Sequence, residues 1–326
     1  MEHESHRLPE RIKPRVAGVR LIYVSSFVWL AGFITYSAAI GLPTKRSNVI
    51  LWLLLAIVAL GFERPRWTLK TLVFDWSPII VALGTYDILR GLSENGRTAH
   101  TAPQFDFDKW MGGGTIPTVR LQDALHTDGV VRWYDFLGWG IYTTHFLFPL
   151  ALAVVLWTFR SPRFRPYLWG LALLSWMGLA TYYLYPAKPP WMTGREGMHD
   201  EVTRIVHSVW KSVGVDRAAR VWEPSAKGSA SKYSNQVAAL PSLHSAFPMY
   251  AMLMLRGIRP WLTAIYVVYA VAMGLTLVYA GEHFVFDVFL GWAYAAVAAF
   301  TVNFGFRWWR RRHGVTTKDP ATDATV

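Results

Sequence analysis

The 326-residue sequence contains no cysteine. That one absence removes a disulfide framework, thiolate metal sites and a cysteine nucleophile together. Charge is the second scarcity. Asp, Glu, Lys and Arg make up 17% of the chain, against about 25% in an average soluble domain. A leader is the third. The first fifteen residues, MEHESHRLPERIKPR, are charged and interrupted by proline. The apolar run after them is too long for the core of a signal peptide, so the start is read as a retained tail.

What fills the space is apolar. Hydrophobic residues are 53% of the chain and aromatic ones 15%. They come in long runs rather than at the short periods of a soluble strand or surface helix, which is what hydrocarbon solvent demands. The fold class expected is all-α, a polytopic integral membrane helical bundle of about eight spans. The runs cover 21–40, 48–62, 71–91, 136–159, 167–186, 242–257, 260–280 and 284–306. The second is short enough to be a tilted or partial span. The chain divides into a basic tail (1–20), a membrane catalytic domain (21–307) and a disordered end (308–326). Two long connections, 92–135 and 187–241, interrupt the membrane part.

The net charge of +12 does not call for nucleic acid. Lys and Arg gather between apolar runs, as membrane topology requires. Arg64, Arg66 and Lys70, then Arg160, Arg163 and Arg165, then Arg256 and Arg259, and the Arg307–Arg312 cluster all fall on one side. The short connections opposite hold Lys45 and Arg46. The heavily basic side is cytoplasmic, with both termini, and the two long connections face outward. In the second of these, Val202, Ile205, Val206, Val209, Trp210 and Val213 follow helical spacing. Such a stripe either lies on the membrane surface or packs on the bundle. KGSASKYSNQ (227–236) reads as a flexible linker back to the bundle.

Three distant stretches are brought to the outer face by this topology: YPAKPPWMTGR (185–195), LPSLHSAFP (240–248) and GEHFVFDVFLGW (281–292). His283 and Asp287 are four apart at a helix start, so the carboxylate can reach the imidazole. A bond to one ring nitrogen fixes the tautomer and leaves the other as a lone-pair nucleophile. The same spacing also suits a helix-end histidine that merely satisfies its neighbour. Ser242 is a natural N-cap, and the free N–H groups after it form an anion site. His244, on that turn, is placed to protonate a leaving oxygen. Lys188 and Arg195 can neutralise the non-bridging oxygens of a phosphoryl group. Arg195 is equally at home as an interfacial cation, whereas two prolines hold Lys188 rigidly at the span end. Asp75, Asp87 and Arg90 put charge inside the third run, where the default is a functional or paired role. Asp87 and Arg90 fit a supporting ion pair. His145, inside the fourth run, fits a hydrogen-bonded core histidine. No set of carboxylates and histidines has metal-ligand spacing, and no cofactor motif is present.

Taken in order, these residues resemble the type 2 phosphatidic acid phosphatase superfamily. Its signature is K-x-x-x-x-x-x-R-P, P-S-G-H, then S-R-x-x-x-x-x-H-x-x-x-D. Here Lys188 to Arg195 is followed by Glu196 instead of Pro. Pro241-Ser242-Leu243-His244 has Leu for Gly, and Thr276-Leu277 stands where Ser-Arg would be, ahead of an intact His283 and Asp287. The departures, with FDWSPIIVALGTYDILRG (74–91) and WYDFLGWGIYTTHFLFPL (133–150), are similar to the branch of inositol phosphorylceramide synthases and bacterial relatives. The resemblance covers about residues 70–300. It implies a six-helix phosphatase-like core, with His283 as the nucleophile that forms a phosphohistidine, Asp287 orienting it and His244 as the acid. It implies a metal-independent reaction on a membrane lipid phosphate, with a lipid or polyol hydroxyl as a possible acceptor, and a bacterial plasma membrane. The competing expectation is a lipid or small-molecule transporter or flippase, with Asp75, Asp87 and His145 as a proton relay. Against it stand the absence of a visible repeat and the placement of the candidate residues at span ends.

Overall fold

The computed structural model describes residues 16–40, 46–94, 98–145, 147–213 and 237–314, with side chains placed for all but 16–20, 46–47 and 86–94. The start of the basic tail, Lys45, the linker at 227–236 and the C-terminal end from 315 lie outside the described residues. So do the side chains of Asp87 and Arg90, although their backbone is helical. Among the described residues there is no β-strand, only isolated bridges such as those joining Ala187 to His100 and to Ala238. The chain is an all-helical integral membrane protein.

The chain forms two compact units, 1–73 and 74–326. In the first, α1 (Val16–Ile40) packs on α2 (Arg46–Gly61), and α3 (Pro65–Thr71) follows. Trp52 is the hub. Its ring meets Trp29, Phe33 and Tyr36, and its carbonyl accepts from Trp29 Nε1 at 3.2 Å. Segments this apolar have little contrast between faces, so aromatic edges and side-chain donors to backbone carbonyls specify their pairing.

The second unit carries α4 (Ser77–Glu94), α5 (Ala102–Met111), α6 (Pro117–Leu125), α7 (Trp133–Thr144), α8 (Phe148–Thr158) and α9 (Phe164–Leu184). After these come α10 (Pro190–Arg195), α11 (Ile205–Ser212), α12 (Leu243–Leu255), α13 (Pro260–Tyr279) and α14 (Val285–Arg312). At its centre α12 packs against α13, α14 and α9, while α4 lies along α9. All eight expected stretches are helical. On length and composition Leu21–Ile40, α13 and α14 qualify alone as spans, and α7 with α8 qualifies as a bent pair.

The structure departs from the sequence expectation at proline. The single run expected at 136–159 is two helices bent by 52°, and Pro149 sits in the first turn of the second. Proline has no N–H for the preceding turn and disfavours helix in the residue before it. Likewise Pro78 leaves a carbonyl four residues back without its donor, and a π-helical turn at Leu72–Trp76 precedes α4. The two long connections are not plain loops, since α5, α6, α10 and α11 lie within them. The stripe at 202–213 packs on the bundle, which decides between the two readings left open. Ile205, Val206 and Val209 are buried in a cluster with Tyr142, Met273 and Leu277, and Trp210 packs against it.

Candidate active site

The C-terminal end of α9 and the N-terminal ends of α12 and α14 meet through the backbone. Ala187 N–H donates to Val237 O (2.7 Å), and Ala239 N–H donates back to Ala187 O (3.2 Å). Ser242 N–H donates to Asp287 O at 3.0 Å. The Ser245 hydroxyl donates to Val288 O at 3.2 Å. The two helix starts can come this close because position 291 is glycine. A Cβ there would lie 2.3 Å from Ser242 O and 2.6 Å from Ser245 Oγ. Three sequence-distant motifs therefore form one rigid corner.

His283 is buried in that corner. Its Nδ1 lies 2.9 Å from Ala239 O, and a carbonyl only accepts, so Nδ1 carries the proton. The Asp287 Oδ2 lies behind at 3.5 Å. Nε2 is thereby left with its lone pair, and it faces His244 Nδ1 at 3.2 Å. Asp287 is fully buried and does a second job. As the third residue of α14 it accepts the N–H of Phe284, the N-cap, at 2.9 Å. The carboxylate that backs the imidazole also fastens the helix start beside it.

Ser242 is the N-cap of α12 and accepts from Ser245 N at 3.3 Å. The N–H groups that follow it, those of Leu243 and His244, are first-turn donors without an intrahelical acceptor. These amides, where the sequence leads one to expect an anion site, lie on the helix that holds His244. His244 is also packed from the side. The His145 ring centroid is 3.9 Å away and the Tyr142 ring is stacked at 5.1 Å. His145 is hydrogen-bonded, as expected, with Nδ1 donating to Tyr142 O at 2.7 Å. However, it lies against the candidate acid, at the break between α7 and α8.

Lys188 Nζ bonds both carboxylate oxygens of Glu196, at 2.8 and 2.7 Å. Arg195 lies over the Trp191 ring, its Nε 4.0 Å from Glu201. A third cation was not singled out from the sequence. Arg204 makes a two-pronged pair with Glu282, both bonds 3.0 Å, and covers the Trp191 ring at 4.5 Å. Asp75, buried in the bundle, is held by Arg165 Nε at 3.1 Å, an ion pair rather than a free relay carboxylate.

Two more residues escaped the sequence reading. Gln122 donates to Thr203 O (2.8 Å) and Tyr279 O (2.7 Å), and accepts from Thr203 N–H (2.8 Å). It ties the approach to His283 to the segment that precedes α11. Asp108, fully buried, accepts from the N–H groups of Val285 (2.9 Å) and Phe286 (3.0 Å). Burial pushes the Asp108 carboxyl up to about 6, against the lowering effect of those two donors and with nearby Asp287 adding to the rise. These residues sit on α5 and α6 as polar stripes turned inward. The one available signal was proline in the first turn of each helix.

Comparison with known proteins identifies the family. A family model described as the PAP2 superfamily matches residues 105–301. The chain is similar to the phosphoinositol dihydroceramide synthase of Bacteroides thetaiotaomicron, 24% identical over 77% of this chain and 75% of that protein. It is also similar to the inositol phosphorylceramide synthase of Candida albicans, 27% identical over 52% of this chain and 35% of that protein. No solved structure matches significantly.

Proposed function

We propose a two-step phosphohistidine mechanism for this chain, which belongs to the PAP2 superfamily and is an integral membrane lipid phosphatase or phosphotransferase. The donor in this reading is a lipid phosphodiester and the acceptor is a hydroxyl, that of another lipid or a polyol. The printed activities of the two relatives support a headgroup transfer of that kind.

The observation that carries the reading is the placement of His283. A proton fixed on Nδ1 by Ala239 O leaves Nε2 nucleophilic, 3.2 Å from His244. In the first step Nε2 attacks phosphorus, an N–P bond forms and the P–O bond to the lipid alcohol breaks. His244 gives its proton to the departing oxygen. Asp287, behind the ring, balances the positive charge that develops on the imidazole. In the second step the acceptor hydroxyl attacks phosphorus, its proton returns to His244 and the N–P bond breaks. Ser242 and the amides after it cradle the non-bridging oxygens, and Lys188 and Arg195 supply positive field. Side chains provide the nucleophile, the acid and this field, so no step calls on a metal ion.

The eight helical stretches are taken as eight spans, with both termini in the cytoplasm and the histidines on the opposite side of a bacterial plasma membrane. The Lys/Arg asymmetry supports that orientation. Asp87 and Arg90, on α4, are placed as a supporting pair.

The test uses purified full-length protein in detergent with excess chelator. It is given a panel of lipid phosphomonoesters and phosphodiesters, and both phosphate release and new phospholipids are followed. Denaturing the enzyme during turnover should trap an adduct on His283, whose mass tells bare phosphate from a headgroup phosphate. Turnover that survives His283→Ala would overturn the mechanism.

A further inference from the structure

The cations near the site do not stand alone. Lys188 is held by both oxygens of Glu196. Arg195 has Glu201 at 4.0 Å. Arg204 is taken by Glu282. Where the resembled signature has an arginine, this chain has Leu277, fully buried among apolar neighbours. Among the described residues these three cations are therefore each matched by a carboxylate, and the match is fullest at Lys188 because both carboxylate oxygens are engaged.

Lys188 belongs to the site by its backbone. The residue before it, Ala187, is bonded to Ala239, whose carbonyl holds His283. Three residues after it, Trp191 N–H donates to Gly281 O, two residues before His283. Gly281 makes that turn with φ +72°, a left-handed conformation that glycine adopts without penalty. The segment 187–191 is thus fastened on both sides to the supports of the candidate nucleophile. Glu196 is placed against Lys188 by α10, whose C-cap it is.

We propose that Glu196 is a specificity-determining residue, which makes the site favour a phosphate bearing one negative charge over a phosphate bearing two. This rests on the reaction proposed above and names the charge class of its substrate. A lipid phosphodiester has a single ionisable oxygen and carries one charge. A phosphomonoester near pH 7 carries about 1.5 to 2. With Lys188 already matched by a carboxylate, the second charge of a monoester meets Glu196 rather than an unopposed ammonium group. A diester needs no more positive field than the α12 amides, the His244 proton and a shared lysine provide.

The pair is partly open to solvent, with side-chain exposures of 25% for Lys188 and 44% for Glu196. Exposed pairs contribute little to folding. Replacing Glu196 should therefore change selectivity with little effect on stability.

The test compares wild type and Glu196→Gln, both full-length and in the same mixed micelles, on phosphatidylinositol and on phosphatidic acid near neutral pH. The variant should raise the ratio of phosphatidic acid turnover to phosphatidylinositol turnover by about tenfold or more, the size expected from unmasking one cation beside the phosphate. An unchanged or falling ratio in an active variant overturns the proposal. A second measurement needs no variant. Dimethyl phosphate, a monoanion, should inhibit wild type at lower concentration than methyl phosphate, largely a dianion near neutral pH. The reverse order overturns the proposal as well. Failure of wild type to turn over either lipid in a His283-dependent manner is a different result. It would remove the proposed reaction, and the role of Glu196 with it.

Discussion

Asp108 and Phe286 lie 178 residues apart, yet the carboxylate of the first accepts the backbone N–H of the second at 3.0 Å. The other oxygen takes Val285 at 2.9 Å, and Asp287 takes Phe284. The first-turn donors of α14 are therefore consumed by the chain's own carboxylates. Two helices start at this corner, and in the proposed mechanism the opening amides of the one that follows Ser242 take the phosphate.

The protonation of Asp108 should be visible in stability. Its folded pKa, about 6, stands above the ordinary 3.8. The folded state thus holds a proton that the unfolded state has already lost. The resulting stability is fully present below about pH 4 and is lost as pH rises through about 6. Melting temperature in detergent should carry this downward slope in wild type. Asp108→Asn should flatten it in that window. An identical slope in both proteins would mean that Asp108 does not titrate there.

The two histidines should be separable by choice of donor. His283→Ala should be inactive with every substrate. His244→Ala should lose roughly 10²–10⁴-fold on an ordinary lipid, the usual cost of removing a general acid. A donor with a p-nitrophenolate leaving group needs no proton, so it should restore much of the rate to His244→Ala and none to His283→Ala. Equal rescue of both would show that the nucleophile has been misassigned.

Gly291→Ala should test the closeness of the two helix starts. The added methyl would fall 2.3 Å from Ser242 O, against backbone that cannot swing aside. Overpacking of this kind costs about 1–3 kcal/mol or more. A clear drop in melting temperature is expected, with a larger loss of turnover than of substrate affinity, because the shift separates His244 from His283. A variant as stable and active as wild type would contradict the contact.

Orientation can be read without background, since the chain has no cysteine. Ala230→Cys should react with a membrane-impermeant maleimide in intact cells, and Lys318→Cys only after permeabilisation. The opposite pattern would place the chemistry on the cytoplasmic side.

Much of this protein is legible in the order of its residues. Long apolar runs announce membrane helices because hydrocarbon leaves the backbone few alternatives. His283 and Asp287 announce a shared helix face because their spacing does so. The motif order brings Ala187, Ser242 and His283 to one end of the bundle, and the structure brings those three stretches into contact. What stayed hidden follows a different logic. Gln104, Asp108, Thr118 and Gln122 are buried polar residues, paired four apart on α5 and α6. A search for apolar periodicity turns such helices inside out. The carbonyl of Ala239, the nearest acceptor to His283, leaves no trace in sequence because every residue has a carbonyl. The partner of Lys188 was visible only as a departure at position 196, and its meaning needed the distance.

In the proposed chemistry His244 serves both the departing and the arriving alcohol, so the two must use the same berth. The second cannot enter until the first has gone. Initial-rate plots against the two substrates should therefore give the parallel lines of a ping-pong scheme. Each displacement also turns phosphorus inside out along the same axis. A phosphorothioate donor of known hand should consequently emerge, after two inversions, with its original configuration.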